Sequence, residues 1–123
     1  MKSTGIRGAA GLSYITPAYF YLLPHALMQV KGLTELVIGH DGRPSSPQLH
    51  QALIDGAMSW GIKVYDAGVC PTPMLSKWAF EKGIAALMVT ASHNPVMDNG
   101  VKFIFPQGNL TRQECVLLNK ILQ

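Results

Sequence analysis

The segment Thr90-Ala91-Ser92-His93-Asn94-Pro95-Val96-Met97-Asp98-Asn99-Gly100-Val101-Lys102 concentrates reactive side chains in a chain that is otherwise poor in them. Ser92 offers a hydroxyl nucleophile, and His93 and Asn94 supply adjacent hydrogen-bonding groups. Lys102 is a mobile cation directed back toward the loop. Pro95 fixes its own backbone and restricts Asn94 to extended geometry. Asn99-Gly100 has the composition of a tight turn and is predicted to lead into the next strand. A neighbouring Ser and His do not make a catalytic triad, because no third group is identifiable and adjacent side chains rarely form the required hydrogen bond. The sequence also lacks G-x-S-x-G, which argues against a serine hydrolase. On residue types alone, the segment fits a functional loop and an ordinary surface loop with Asx turns equally well.

The elements that must position this loop can be read around it. Thr16-Pro17, Ser46-Pro47 and Thr72-Pro73 each place a hydroxyl residue before a proline at the head of a helical pattern. The hydroxyl can cap orphan amides, and proline at the first helical position has no N–H to lose. Behind Ser46-Pro47, the residues Leu49, Ala52, Leu53, Gly56, Ala57 and Trp60 share one helical face, and Gly61 ends the helix. A fourth helix opens at Thr111, with Glu114 completing a capping box. Between the helices lie β-like runs at Leu36–Gly39, Ile62–Asp66, Ala85–Val89 and Val101–Phe105. The first three read as strands covered on both faces. The predicted fold is α/β: a single three-layer α/β/α domain over residues 1–123. Its sheet is predicted to be mixed, mainly parallel and four-stranded, with the last two strands joined by the Ser92 loop. Trp60 and Trp78 read as core, and Asp98 as a turn former.

Composition narrows the function classes. With 48% hydrophobic residues among 123, the chain is no disordered linker. Charged residues reach only 14%, a deficit that fits a domain partly covered by something else. The net charge of +3 comes from scattered Lys and Arg with no basic run, so a nucleic-acid partner is not expected. Cys70 and Cys115 show no metal-ligand spacing and read as buried thiols of a reducing, cytoplasmic compartment. The opening Met1-Lys2-Ser3-Thr4-Gly5 has no apolar run behind its lysine, so a signal peptide is not indicated. Ala18–Val30 is apolar but short, and contains Pro24 and His25; it is expected to be a buried helix rather than a membrane span.

Thr90-Ala91-Ser92-His93-Asn94-Pro95, with Asn99-Gly100-Val101-Lys102 behind it, resembles the active-site serine loop of the α-D-phosphohexomutase superfamily. Three more segments resemble the same family in the same order: Gly5-Ile6-Arg7-Gly8, Ile38-Gly39-His40-Asp41-Gly42-Arg43 and Pro71-Thr72-Pro73. Four ordered motifs across almost the whole chain are far more specific than any one of them. Lys2-Ser3-Thr4 departs from the aromatic, glycine and acidic residues that often precede the first motif.

The resemblance implies an isomerase that moves phosphate reversibly between O1 and O6 of a hexose, with Ser92 as the phosphorylated carrier. A hexose 1,6-bisphosphate is then the intermediate and activator. Lys102 and Arg7 correspond to the cations beside the phosphate, of which a lysine is the easier proton shuttle. His93 and Asn94 match positions that touch phosphate or substrate, while Asp41 and Arg43 match a supporting element. Mg²⁺ is the implied cofactor, with one oxygen from the Ser92 phosphate and the remaining ligands from elsewhere in a four-domain parent. The implied partners are the hexose phosphate and those other domains, with a homodimer as an option and no membrane. The Asp41-Gly42-Arg43 segment resembles the phosphomannomutase/phosphoglucomutase branch, whereas Asp98-Asn99-Gly100-Val101-Lys102-Phe103 resembles phosphoglucosamine mutases. The competing reading is a non-catalytic phosphate-binding or assembly module derived from this domain.

Overall fold

In the computed structural model, residues 2–12 and 14–122 are described; Met1 of the opening segment lies outside them. The elements run β1 (Gly5–Ala9), α1 (Pro17–Lys31), β2 (Glu35–His40), α2 (Ser46–Ser59), β3 (Lys63–Val69), α3 (Thr72–Lys82), β4 (Ala86–Val89), β5 (Asp98–Ile104) and α4 (Arg112–Leu122). Thr16 caps α1 by accepting the Tyr19 N–H at 3.2 Å, and the helix continues through a buried Pro24 to a left-handed Gly32. Glu114 accepts the Thr111 N–H at 2.8 Å, while Thr111 accepts the Glu114 N–H at 3.1 Å, closing the capping box of α4. Gly61 ends α2 with φ of 73°. Bonds from Gly61 to Met58 and from Ile62 to Ala57 reuse carbonyls that the helix leaves free.

The strands form one sheet in the order β1-β5-β4-β2-β3. β4-β2 and β2-β3 are parallel, whereas β1-β5 and β5-β4 are antiparallel. The described residues therefore form five strands rather than the four predicted, half parallel rather than mainly so. The missed strand, β1, is five residues long and holds two glycines, so it carries no hydrophobic pattern of its own. Its partner β5 lies near the other end of the sequence.

Alternation along the strands sorts the core into two clusters. Ile6, Leu36, Ile38, Leu87, Val89, Val101 and Phe103 face α1, α2 and α4, where Phe20, Leu23, Leu53 and Leu118 are fully buried. The opposite face places Val37, Ala86, Met88 and Ile104 against Leu75 and Ala79 of α3. Three layers result. Among the described residues, α3 covers this second face over β2 and β4, and the β1-β5 end of it carries no helix. β3 is an edge strand with mostly exposed or half-exposed residues, not the doubly covered strand predicted. Trp60 is 48% exposed and stacks on His25 with centroids 3.7 Å apart, so it is not core; Trp78 is partly buried against the α3 cluster. Both cysteines are free and half-buried rather than fully buried.

The β1-β5 register is locked by two close backbone approaches. A Cβ on Gly5 would lie 2.1 Å from the Val101 carbonyl oxygen, and one on Gly100 would lie 2.0 Å from that of Ile6. Gly100→Ala should therefore push β1 away from β5 and destabilise the fold by about 1–3 kcal/mol, the usual range for overpacking. Denaturant melts of the two proteins measure this. An unchanged midpoint would show that the strands accommodate a side chain there.

Candidate active site

Sites in open α/β sheets collect beyond the carboxyl ends of the parallel strands. Here β2 and β4 lie side by side and end together. Asp41 and Arg43 follow β2, and the Ser92 loop follows β4. Adjacency of these two strand ends brings Arg43 under the loop.

The Arg43 side chain is only 10% exposed, and its guanidinium engages all five N–H groups. Nε donates to Asp41 Oδ2 at 3.1 Å. One terminal nitrogen donates to the carbonyls of Pro95 at 2.6 Å and Asp98 at 3.1 Å. The other donates to those of Ser92 at 2.7 Å and Asn94 at 3.1 Å. Asp41 is fixed in return, since its Oδ1 accepts the Ser46 hydroxyl at 2.7 Å and the Arg43 backbone N–H at 3.1 Å. Burial pushes the Asp41 carboxyl up, but hydrogen bonds from Ser46, Thr90 and Arg43 outweigh it and hold the group below the ordinary carboxylate value.

Within this clamp the loop presents Ser92. Its φ of 51° is the one positive value at a non-glycine residue among the described residues. The left-handed region disfavours L-residues by roughly 1–2 kcal/mol, so the surroundings must impose it. They do so through the Arg43 bond to the Ser92 carbonyl and through Thr90 Oγ1, which accepts the Ser92 N–H at 3.0 Å. The side chain is left exposed, and the Arg7 guanidinium donates to Ser92 Oγ at 3.2 Å.

Arg7 comes from β1 and Lys102 from β5. Their register partners are Gly100 and Gly5, so both side chains stand on the same face, opposite the one that buries Ile6 and Val101. Among the described residues, this β1-β5 end of the second face carries no helix. It forms an open cleft of ≈ 750 Å³ whose lining includes Lys2, Arg7, Leu12, Tyr14, Asn94 and Lys102. Asn94 also donates from Nδ2 to Asp98 Oδ2 at 3.3 Å, and His93 is exposed beside Ser92. The cleft thus gathers Arg7, Asn94 and Lys102, and Ser92 is tied to it through the Arg7 bond; His93 follows Ser92 in the exposed loop but is not part of the lining, and Asp41 and Arg43 lie beneath the loop.

Four residues take places the sequence did not announce. Ser46 was expected to cap α2, but it is the first helical residue and its hydroxyl serves Asp41 instead. Asn99-Gly100 was expected to be a turn, yet both residues lie in β5 and Asn99 is fully buried. Asp98 likewise opens β5 rather than forming a turn. Behind Asp41, His40 stands edge-on to His50 at 4.4 Å, and His50 Nε2 lies 2.7 Å from Asp66 Oδ1. Burial and then the His50 ring hold the His40 imidazole below its ordinary value.

Among the described residues no group of three or more His, Cys, Asp or Glu could hold a metal ion. Mg²⁺ requires near-octahedral oxygen coordination. Among the described residues, the donors do not by themselves make up such a shell. Among the described residues, too, no helix is long and apolar enough to cross a membrane.

Comparison with known proteins places this geometry in context. The model of the family described as phosphoglucomutase/phosphomannomutase, alpha/beta/alpha domain I, matches residues 1–121. A phosphoglucosamine mutase of Desulforamulus reducens is 38% identical over 108 residues, covering 85% of this chain and 24% of the relative. A phosphopentomutase of Thermococcus kodakarensis is 42% identical over 100 residues, covering 81% and 22%. A crystal structure of a phosphoglucomutase/phosphomannomutase family protein from Burkholderia thailandensis superposes with a TM-score of 0.82 at 27% identity, covering 98% of this chain and 29% of the other. The chain spans about a quarter of the length of the curated relatives it matches.

Two predictions follow from the clamp. Arg43→Ala should lower stability by on the order of 2–4 kcal/mol, because four loop carbonyls and a carboxylate lose their donor at once. Arg43→Lys should recover little of this, since a lysine cannot span the same acceptors. Thermal melts decide, and wild-type stability in Arg43→Ala would dismiss the clamp. The depressed Asp41 carboxyl adds stability above its unfolded value, and that contribution is lost as pH falls through the folded one. Asp41→Asn should therefore be less stable than wild type at neutral pH, with the gap closing below the ordinary carboxylate range. Urea midpoints across acidic pH measure it; a gap independent of pH would contradict this account.

Proposed function

We propose, from the premise that this chain belongs to the phosphoglucomutase/phosphomannomutase family as its alpha/beta/alpha domain I, that Ser92 is the phosphoryl carrier of a sugar-phosphate mutase. The observation that carries this reading is Ser92 itself. It is a serine held at positive φ by an arginine-clamped loop, with its hydroxyl exposed and the guanidinium of Arg7, which lines the cleft, at 3.2 Å. Phosphoryl transfer asks chiefly for alignment and for cationic stabilisation of the transferring group, and this arrangement suits both.

In the reaction, the Oγ–P bond of phosphorylated Ser92 breaks as a sugar-phosphate hydroxyl attacks phosphorus. The hydroxyl loses its proton as the new O–P bond forms, giving a hexose 1,6-bisphosphate. After the intermediate turns over, Ser92 Oγ attacks its other phosphate and releases the isomeric monophosphate. Arg7 supplies charge at Oγ, since a guanidinium keeps its proton. Lys102, on the same face, is the proton shuttle between sugar hydroxyl and Oγ. His93 and Asn94 contact phosphate or sugar. Mg²⁺, if bound, would draw on an oxygen of the Ser92 phosphate and on donors from outside this chain, and would supply further positive charge at the transferring group.

The proposed substrate is a hexose monophosphate, as the relatives named phosphoglucosamine mutase suggest. The complete enzyme is proposed to be a cytoplasmic protein of several domains. Exposed apolar side chains such as Met74 and Phe80 on α3 suit contact with those further domains.

The complete enzyme, purified from its natural host, should carry a phosphoryl group on Ser92 by intact mass and phosphopeptide mapping. Ser92→Ala should remove it and abolish turnover of hexosamine and hexose phosphates. Lys102→Ala should lower kcat by about 10²–10⁴-fold, the usual loss for a positioned general acid–base, with little effect on melting temperature. Full turnover in Ser92→Ala would sink the assignment, and turnover of pentose phosphates alone would redirect the substrate.

A further inference from the structure

The chemistry above makes no use of Asn99, although its side chain is fully buried at the second residue of β5. Its Oδ1 accepts the Gly100 N–H at 2.9 Å, which turns Nδ2 the other way. There Nδ2 donates to Ser45 Oγ at 2.8 Å and Ser46 Oγ at 2.9 Å. An amide nitrogen can only donate. The Ser46 oxygen must therefore accept from Asn99, and its single proton points at Asp41 Oδ1, 2.7 Å away. Asp41 holds Arg43, and Arg43 holds the carbonyls of Ser92, Asn94, Pro95 and Asp98. The bonds converge on the Asp41 carboxylate: the Asn99 amide donates to the Ser46 hydroxyl and that hydroxyl to Asp41, while the Arg43 guanidinium donates to Asp41 from the other side and to the loop carbonyls.

We propose that Asn99 is a positioning residue for Ser92, acting through the Ser46 hydroxyl and the Asp41–Arg43 pair to set the conformation of the Ser92 loop. This rests on Ser92 being the phosphoryl carrier. Asn99 touches no substrate. What matters is the polarity of its amide, more than the space it fills. A carboxylate of nearly the same shape still accepts the Gly100 N–H but presents an acceptor to Ser46. Two carboxylates then compete for one hydroxyl proton, and Asp41 loses its partner. Alanine instead leaves the hydroxyl free to keep donating to Asp41.

The test combines steady-state kinetics on the complete enzyme with amide hydrogen exchange. Asn99→Asp is expected to lower kcat on the order of ten- to a hundred-fold, the range of strongly coupled network residues, with KM for the sugar phosphate nearly unchanged. Asn99→Ala should lower it less. The Asn94 and Asp98 amides, which bond to Ala91 and Pro95 within the loop, should exchange faster in Asn99→Asp, while those of Ile38 and Leu87 in the central strands stay protected. In a Ser46→Ala background, Asn99→Asp should cost nothing further. A larger loss in Asn99→Ala than in Asn99→Asp, or the full loss persisting in Ser46→Ala, would overturn the proposal. If Asn99→Asp fails to fold, the cycle of Asn99→Ala and Ser46→Ala decides: non-additive losses in kcat support it, additive losses overturn it. Absence of phosphate on wild-type Ser92 would instead refute the carrier reading, whereas the exchange result reports on positioning alone.

Discussion

A single guanidinium with no N–H to spare organises this end of the molecule. Arg43 bonds to four loop carbonyls and one carboxylate. Hydrogen bonds to a charged donor contribute about 1.5–3 kcal/mol each, and acceptors left without one lose comparable amounts. Carbonyls drawn toward one point force the loop to wrap around it, and the wrapping leaves Ser92 at positive φ. Because every Arg43 donor is already engaged, the residue has none to offer an anionic ligand. The donor at Ser92 Oγ is instead Arg7, which reaches it from a different strand.

That division depends on how the sheet is covered. α1, α2 and α4 pack on one face, whereas α3 covers only the β2-β4 part of the other. The uncovered part belongs to β1 and β5, where strand alternation turns Ile6 and Val101 into the core and Arg7 and Lys102 outward. A slip of one residue between these strands would send a cation into the core, and the bare backbones at Gly5 and Gly100 exclude it sterically.

Local signals made most of this fold legible in the sequence. Thr16 and the Thr111–Glu114 box mark helix starts because capping is a contact within one turn. The runs at Leu36 and Ala86 announce central strands because both their faces are buried. Sequence reasoning failed where the determining partner is distant. β1 is a strand only because β5 pairs with it. Ser46 does not cap its helix because Asp41 and Asn99 compete for its hydroxyl and win. Asn99-Gly100 has the composition of a turn, but Gly100 is demanded by the Ile6 carbonyl and Asn99 by two serine hydroxyls across the layer. In the site, the types and order of the reactive residues could be read from the motifs; the hydrogen-bond directions that join them could not.

The pairing of β1 with β5 also has a consequence in time. It joins segments from opposite ends of the described chain, and β1 touches the sheet along one edge only. Contacts of such large sequence separation pay their loop-closure entropy late, after the central strands and helices have condensed. An edge strand with a single neighbour is also the kind of element that opens first in a folded protein. Ser92 and its clamp sit beside the central strands, while Arg7 rides on the edge strand whose pairing closes the longest stretch of chain. The serine and the cation that faces it are thus held by parts of the sheet with different numbers of neighbours.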